Sequence, residues 1–256
     1  MKVHHLGLVL GLVAAPLESA VAAEFPYGAG TFVPPAQGDR EGAVHAIGQG
    51  EAGPRPLVVF LHGLNEGGPL HKDLDRVAAV ATRLVAEGKL EPLLVAGPSQ
   101  TKDATRPWDM WEGFDLEAFV DAASAVMPVD RESVVLVGHS GGGCNLRGSI
   151  LASKGRNASA VVAIDTCFDP KVAEALLDAP PWTRIWAYHQ TSSWDRDPDG
   201  FARVLFDPKR RGGPLDRRFE KAPIEGPSAH DAILPWALRR ALPALLPPRR
   251  AAVTSS

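Results

Sequence analysis

Apolar residues recur along this chain with two different periods. Leu57-Val58-Val59-Phe60-Leu61 is short, unbroken and β-rich, which predicts a strand buried on both faces. Pro92-Leu93-Leu94-Val95-Ala96, stopped by Gly97-Pro98, predicts a second strand and Ser133-Val134-Val135-Leu136-Val137 a third. Residues 158–164 predict a fourth and Arg184-Ile185-Trp186-Ala187-Tyr188 a fifth. Between these runs the spacing becomes helical. Residues 72–87 carry Leu74, Val77, Val80, Ala81, Leu84 and Val85 on one face, and residues 114–127 form a second amphipathic stretch ended by Pro128. Residues 231–246 predict a closing helix, with Pro235 in its first turn and Pro243 near its end. Strands alternating with helices imply β-α-β units, a parallel sheet and the α/β class. An antiparallel edge hairpin is expected around Thr31-Phe32-Val33 and Ala43-Val44-His45-Ala46, and a last strand near Ala222-Pro223-Ile224.

Composition narrows the class. The chain has 256 residues, 45% apolar and 22% charged, which suits one domain with an ample core. A formal net charge of −3 gives no basic face for nucleic acid. The 25 glycines and 23 prolines make the chain loop-rich without reaching the composition of a disordered one. Two cysteines are too few for a disulfide-built scaffold and lack the paired spacing of a structural zinc site, so no metal is expected.

The first 23 residues read as an export signal. Lys2 precedes an apolar run from Leu6 to Leu17, and Ser19-Ala20-Val21-Ala22-Ala23 supplies the small residues of a cleavage site after 22 or 23. The run is about 12 residues, against the roughly 20 that span a bilayer, so no stable membrane anchor is expected. Residues 24–256 would then form a single domain in a secreted or periplasmic protein. In that oxidising compartment Cys144 and Cys167 are expected to pair.

One turn carries the candidate chemistry. The third strand runs into Gly138-His139-Ser140-Gly141-Gly142-Gly143, with residues 144–153 able to continue as a helix. A serine in G-x-S-x-G at a strand-to-helix turn is held in a strained conformation with its hydroxyl above the sheet. The Gly141 N–H would then point where an oxyanion forms. No Lys-Ser or Lys-Thr follows the glycines, so a phosphate-cradling loop is excluded. The first strand ends in His62-Gly63-Leu64-Asn65-Glu66-Gly67-Gly68, where the Leu64 N–H is a candidate second oxyanion donor.

In this order, Phe60-Leu61-His62-Gly63, Gly138-His139-Ser140-Gly141-Gly142 and a late histidine resemble the α/β-hydrolase family of secreted serine hydrolases, over residues 55–247. The resemblance implies an eight-stranded, mostly parallel sheet flanked by helices, a Ser–acid–His triad, and no cofactor. Only about nineteen residues separate the fourth and fifth strands, which leaves little room for a cap domain. The family pattern assigns the base to His230, in a loop just before the closing helix, with His189 the rival.

Three carboxylates compete to orient that imidazole. Asp165 ends a buried strand and is favoured, because an orienting acid works best on a rigid, dry support. Asp195 follows the fifth strand, where the family most often keeps its acid, but lies in a run of charged and turn residues that reads as a solvated loop. Asp169 is a third choice. Asn65, Trp108, Trp111, Gln190 and Trp194 are candidate substrate contacts in loops on the same edge. The resulting expectation is a monomeric hydrolase of small-molecule or polymer carboxylic esters. An amidase or peptidase using the same triad, or a non-catalytic binding protein on this scaffold, are the alternatives.

Overall fold

The computed structural model describes residues 21–26, 41–50, 53–64, 71–99, 106–154, 158–192, 197–210 and 213–247. Its strands are β1 (Val21–Pro26), β2 (Glu41–Ile47), β3 (Arg55–Leu61), β4 (Leu93–Pro98), β5 (Val129–His139), β6 (Ala158–Ile164), β7 (Arg184–His189) and β8 (Arg217–Lys221). Its helices are α1 (Leu74–Ala86), α2 (Leu116–Val126), α3 (Pro170–Leu176), α4 (Pro198–Leu205) and α5 (Ala229–Leu245). The eight strands form one sheet in the order β1-β2-β4-β3-β5-β6-β7-β8. The pairs β1–β2 and β2–β4 are antiparallel and every later neighbour is parallel.

Both faces of the sheet are covered, which is why its central strands read as unbroken apolar runs. Val58 and Phe60 pack with Val95, Val137 and Ile164 under α1 and α5. Their neighbours on β3, namely Leu57, Val59 and Leu61, point the other way and pack with Leu136 under α2. Further along that second face, Val161, Ala163, Ile185 and Ala187 are covered by Phe168, Val172 and Leu176 around α3 and by Phe201 and Leu205 of α4.

Several boundaries differ from expectation, each for a local reason. The helices α3 and α4 span only 7 and 8 residues, too few for a periodic pattern to stand out. Each is announced instead by Asp-Pro, the aspartate capping and the proline opening the first turn: Asp169 accepts from the Lys171 N–H at 2.7 Å and Asp197 from the Gly200 N–H at 2.8 Å. The last strand lies at Arg217–Lys221, ahead of Ala222-Pro223-Ile224. As an edge strand it is charged, and its Arg218 guanidinium lies over the Trp186 ring at 3.8 Å.

The edge hairpin is present with β1 paired to β2, and the expected segment around Thr31-Phe32-Val33 lies outside the described residues. Residues 1–20 of the expected export signal also lie outside them. Among the described residues no helix is long and apolar enough to cross a membrane. The strand β1 straddles the expected cleavage positions and carries Phe25 into the core, 5.5 Å from the Phe119 ring. Gly42 lies directly beneath the Phe25 ring, where a Cβ would come within 2.3 Å of it.

Phe25→Ala is therefore expected to cost about 3 kcal/mol, as for other buried phenylalanines truncated to alanine. Urea denaturation checks this, and an unchanged midpoint would show that Phe25 adds nothing to the fold.

Candidate active site

The turn after β5 is built by close approach. Ser140 has φ 55°, in the left-handed region that costs an L-residue roughly 1–2 kcal/mol. Its flanking glycines leave no room for side chains. A Cβ on Gly138 would lie 2.5 Å from the Gly142 carbonyl oxygen and 2.6 Å from Ile150, and one on Gly142 would lie 2.0 Å from the Leu61 carbonyl oxygen. The end of β3 thus presses against this turn. Gly63 comes so near that a Cβ on it would sit 2.9 Å from Ser140 Oγ, which brings the adjoining Leu64 beside the serine.

No helix continues from residue 144 to 153 as expected. A short 3-10 turn, Ser140–Gly143, is followed by irregular chain and a second 3-10 turn, Ser149–Ser153. Side chains take the backbone partners that a helix would need: Ser149 donates to the Gly142 carbonyl, and Asn145 Oδ1 accepts from the Arg147 N–H at 2.7 Å. Cys144 instead bonds to Cys167, with Cα atoms 5.2 Å apart. The bridge ties the turn holding Ser140 to the loop that follows Asp165.

Asp165 stands just beyond β6 and is 0% exposed. Its Oδ2 accepts from His230 Nδ1 at 2.6 Å and from Gln190 Nε2 at 2.8 Å, while Oδ1 accepts from the Gln190 backbone N–H at 3.2 Å. Its own N–H donates to the Tyr188 carbonyl at 2.8 Å, locking the ends of β6 and β7 together. Of the competing acids, Asp169 is occupied in capping α3, and Asp195 lies outside the described residues.

His230 lies in the first turn of α5 and not in a loop before it, with its side chain 28% exposed. Beneath it lies His139, the residue before Ser140, whose ring stacks on that of His230 with centroids 4.7 Å apart. The Nε2–H of His139 donates to the His230 carbonyl at 3.0 Å. Burial, reinforced by the neighbouring His230, lowers the His139 pKa to about 4. Because α5 begins at Ala229, Pro235 falls in its second turn instead of its first. A proline there has no N–H for the Asp231 carbonyl, and Arg76 of α1 donates to that carbonyl at 3.0 Å instead. The turn bearing His230 is thereby fastened to α1.

Two expected substrate contacts have other work. Trp111 is 1% exposed, its Nε1–H donating to the His62 carbonyl at 2.9 Å and its ring meeting His62 edge-on at 4.9 Å. It supports the turn at Gly63 from within the core. Gln190 is 2% exposed and its amide is engaged with Asp165 and with the Ser192 N–H. Trp108 does face solvent, at 58% exposure, on the turn Pro107–Asp109. That turn packs over Gly141, and Asn145 Nδ2 donates to the Trp108 carbonyl at 2.6 Å. Leu146, the residue after Asn145, is exposed as well. Asn65 and Trp194 lie outside the described residues. His189, the rival base, stacks on Phe219 at 4.5 Å. Sequence reasoning missed the supporting roles of Arg76, Trp111 and Gln190, because nothing in a local pattern tells a buried polar anchor from a substrate contact.

No family model matches the sequence, and no curated protein matches it either. Solved structures do. A ferulic acid esterase superposes with a TM-score of 0.65 at 16% identity, covering 89% of this chain and 98% of its own. The S954A mutant of the feruloyl esterase module from Clostridium thermocellum, complexed with sinapinate, superposes with a TM-score of 0.60 at 13% identity, covering 90% of this chain and 88% of its own. A CE1 ferulic acid esterase from Anaeromyces mucronatus, in complex with ferulic acid, gives 0.58 at 14% identity, covering 88% and 92%. With the sheet order above, these likenesses show the α/β-hydrolase fold.

Two predictions concern what holds the site. The 23-residue separation of Cys144 and Cys167 gives a loop-closure contribution of about 3 kcal/mol, so C144A/C167A should unfold at correspondingly lower urea. Identical midpoints for the two proteins would overturn that. His62 and His139 both stay neutral in the folded protein until about pH 4, each through burial, whereas an unfolded histidine takes up its proton near 6.5. The unfolded chain therefore binds more protons between pH 6.5 and 4, and stability should fall as pH drops through that window, by roughly 2 kcal/mol per imidazole between pH 7 and 5. Urea titrations at those two pH values measure the loss.

Proposed function

We propose that this chain is an exported, cofactor-free serine hydrolase of carboxylic esters. Ser140 is the nucleophile, His230 the general base and acid, Asp165 the residue that orients the imidazole, and the Leu64 and Gly141 N–H groups the oxyanion donors. The observation that carries the reading is the 2.6 Å hydrogen bond from His230 Nδ1 to the fully buried Asp165, with the His230 ring stacked on that of His139, the residue before a serine held at φ 55°. A nucleophile, a base within reach and a third group orienting that base are the constellation on which acyl transfer by serine depends.

The chemistry follows from the tautomer. With the Nδ1 proton donated to Asp165, Nε2 keeps its lone pair and takes the Ser140 proton as Oγ attacks the ester carbonyl carbon. The carbonyl π electrons move onto oxygen, where the two N–H groups hold the oxyanion. Collapse of the tetrahedral intermediate expels the alcohol, which leaves with the proton from His230. Water then repeats the sequence on the acyl-serine and releases the acid and free enzyme. Asp165 stabilises the imidazolium formed in each half and stays ionised throughout.

The exposed Trp108, on the turn that packs over Gly141, would receive an apolar or aromatic part of the substrate. Structural neighbours that bind ferulic acid and sinapinate support including hydroxycinnamate esters among the candidates. The disulfide is in keeping with export to an oxidising compartment, secreted or periplasmic.

A fluorophosphonate probe tests the assignment. Folded wild-type protein should form one adduct, on Ser140, that S140A lacks. D165N should keep the fold and lose about 10³–10⁴-fold in kcat. A panel of p-nitrophenyl esters against the matching anilides should show ester cleavage dominant. Absence of any adduct on the folded protein would remove the enzyme reading, and preference for anilides would make it an amidase.

A further inference from the structure

We propose that Gln190 is a positioning residue for the reaction, clamping both oxygens of Asp165 so that the carboxylate presents Oδ2 to His230 in one orientation. This inference rests on the roles proposed for Ser140, His230 and Asp165.

The geometry begins with adjacency in the sheet. Tyr188 pairs in register with Ile164, so the chain leaving β7 passes directly beside Asp165 as it leaves β6. Gln190 is the first residue beyond β7, and its two donors arrive at the carboxylate from one side. The backbone N–H meets Oδ1 at 3.2 Å and Nε2 meets Oδ2 at 2.8 Å. His230 Nδ1 reaches the same Oδ2 at 2.6 Å. Two donors of the same residue, one on each oxygen, oppose rotation of the carboxylate about its Cβ–Cγ bond.

The amide is itself held in one sense. Gln190 Oε1 accepts from the Ser192 N–H at 2.6 Å. Turning the amide over would set Oε1 against the Asp165 carboxylate and the NH₂ against the Ser192 N–H, two repulsive contacts in place of two hydrogen bonds. Nε2 is therefore the atom facing Oδ2. At 2% exposure the side chain cannot reach a substrate without abandoning Asp165.

This contact bears on the chemistry because Asp165 is buried away from bulk solvent. A carboxylate at 0% exposure depends on donors both to remain ionised and to keep its direction. His230 gains a full positive charge as Ser140 attacks, and that imidazolium is stabilised in proportion to the charge and alignment of Oδ2. An amide that serves Asp165 in this way acts on kcat and leaves substrate affinity alone.

Gln190→Met, which keeps the length and removes the amide, and Gln190→Glu, which keeps the shape and replaces the donor with an acceptor, test the proposal. The measurements are kcat and KM on a p-nitrophenyl ester, and the downfield proton NMR signal of the His230 Nδ1–H. Both variants should lose about 10–100-fold in kcat with KM little changed, and the downfield signal should shift or broaden in both. Should Q190M fail to fold, the isosteric Q190E decides by the same two readouts. A kcat close to wild type with an unmoved signal overturns the proposal. So does a raised KM at unchanged kcat, which would make Gln190 a substrate contact. The NMR readout needs no turnover: if wild-type protein hydrolyses no ester, the functional reading fails, while a signal that still moves in the variants upholds the clamp on Asp165.

Discussion

A carboxylate buried out of reach of water keeps its charge only where hydrogen-bond donors take the place of the solvent it has lost. Asp165 meets this condition through Gln190 beyond β7 and His230 on α5, so one ionisable group draws three segments to a single point. Satisfying it requires the register in which Ile164 stands opposite Tyr188, and requires α5 to begin early enough to place His230 over the sheet. The sheet's parallel order and the path of the last helix are both implicated in that one contact. Unpairing it would leave a buried charge, among the costliest defects a fold can carry.

Around this point the structure replaces flexible connections with fixed ones. The Cys144–Cys167 bridge ties the turn of the serine to the loop of the acid, the His139 ring underlies the His230 ring, and Arg76 takes the carbonyl that Pro235 leaves without a partner. Trp111 performs the same service for the turn at Gly63. These anchors belong to different elements, so each can be altered separately. Together they tie the loop residues of the site to the sheet and its helices, as a site that reacts through aligned hydrogen bonds requires.

Much of this was legible beforehand. The five central strands stand out because each is covered on both faces and has no polar alternation to obscure it. Gly138 and Gly142 mark a close approach in the sequence itself, since G-x-S-x-G has a steric reason to be glycine at both ends. The misplacements have local causes: α3 and α4 are too short to show a period, and β8 is a charged edge strand. The helix expected after Ser140 is displaced by side chains that capture its backbone partners, and no local propensity contains that information.

Local pattern by itself determined the class of fold, the nucleophile candidate and its place in a strained turn, because these rest on periodicity and on glycine sterics within a few residues. Those grounds favoured Asp165 over Asp195 and Asp169 without joining any of the three to His230. Only the tertiary structure decided that Asp165 meets His230 while Asp169 caps a helix, that Trp111 and Gln190 are buried supports, and that Trp108 faces solvent. Such pairings join residues 65 positions apart in the case of Asp165 and His230, through the register of neighbouring strands and the path of the last helix. A linear pattern records which groups are present, whereas packing decides which of them share a hydrogen bond.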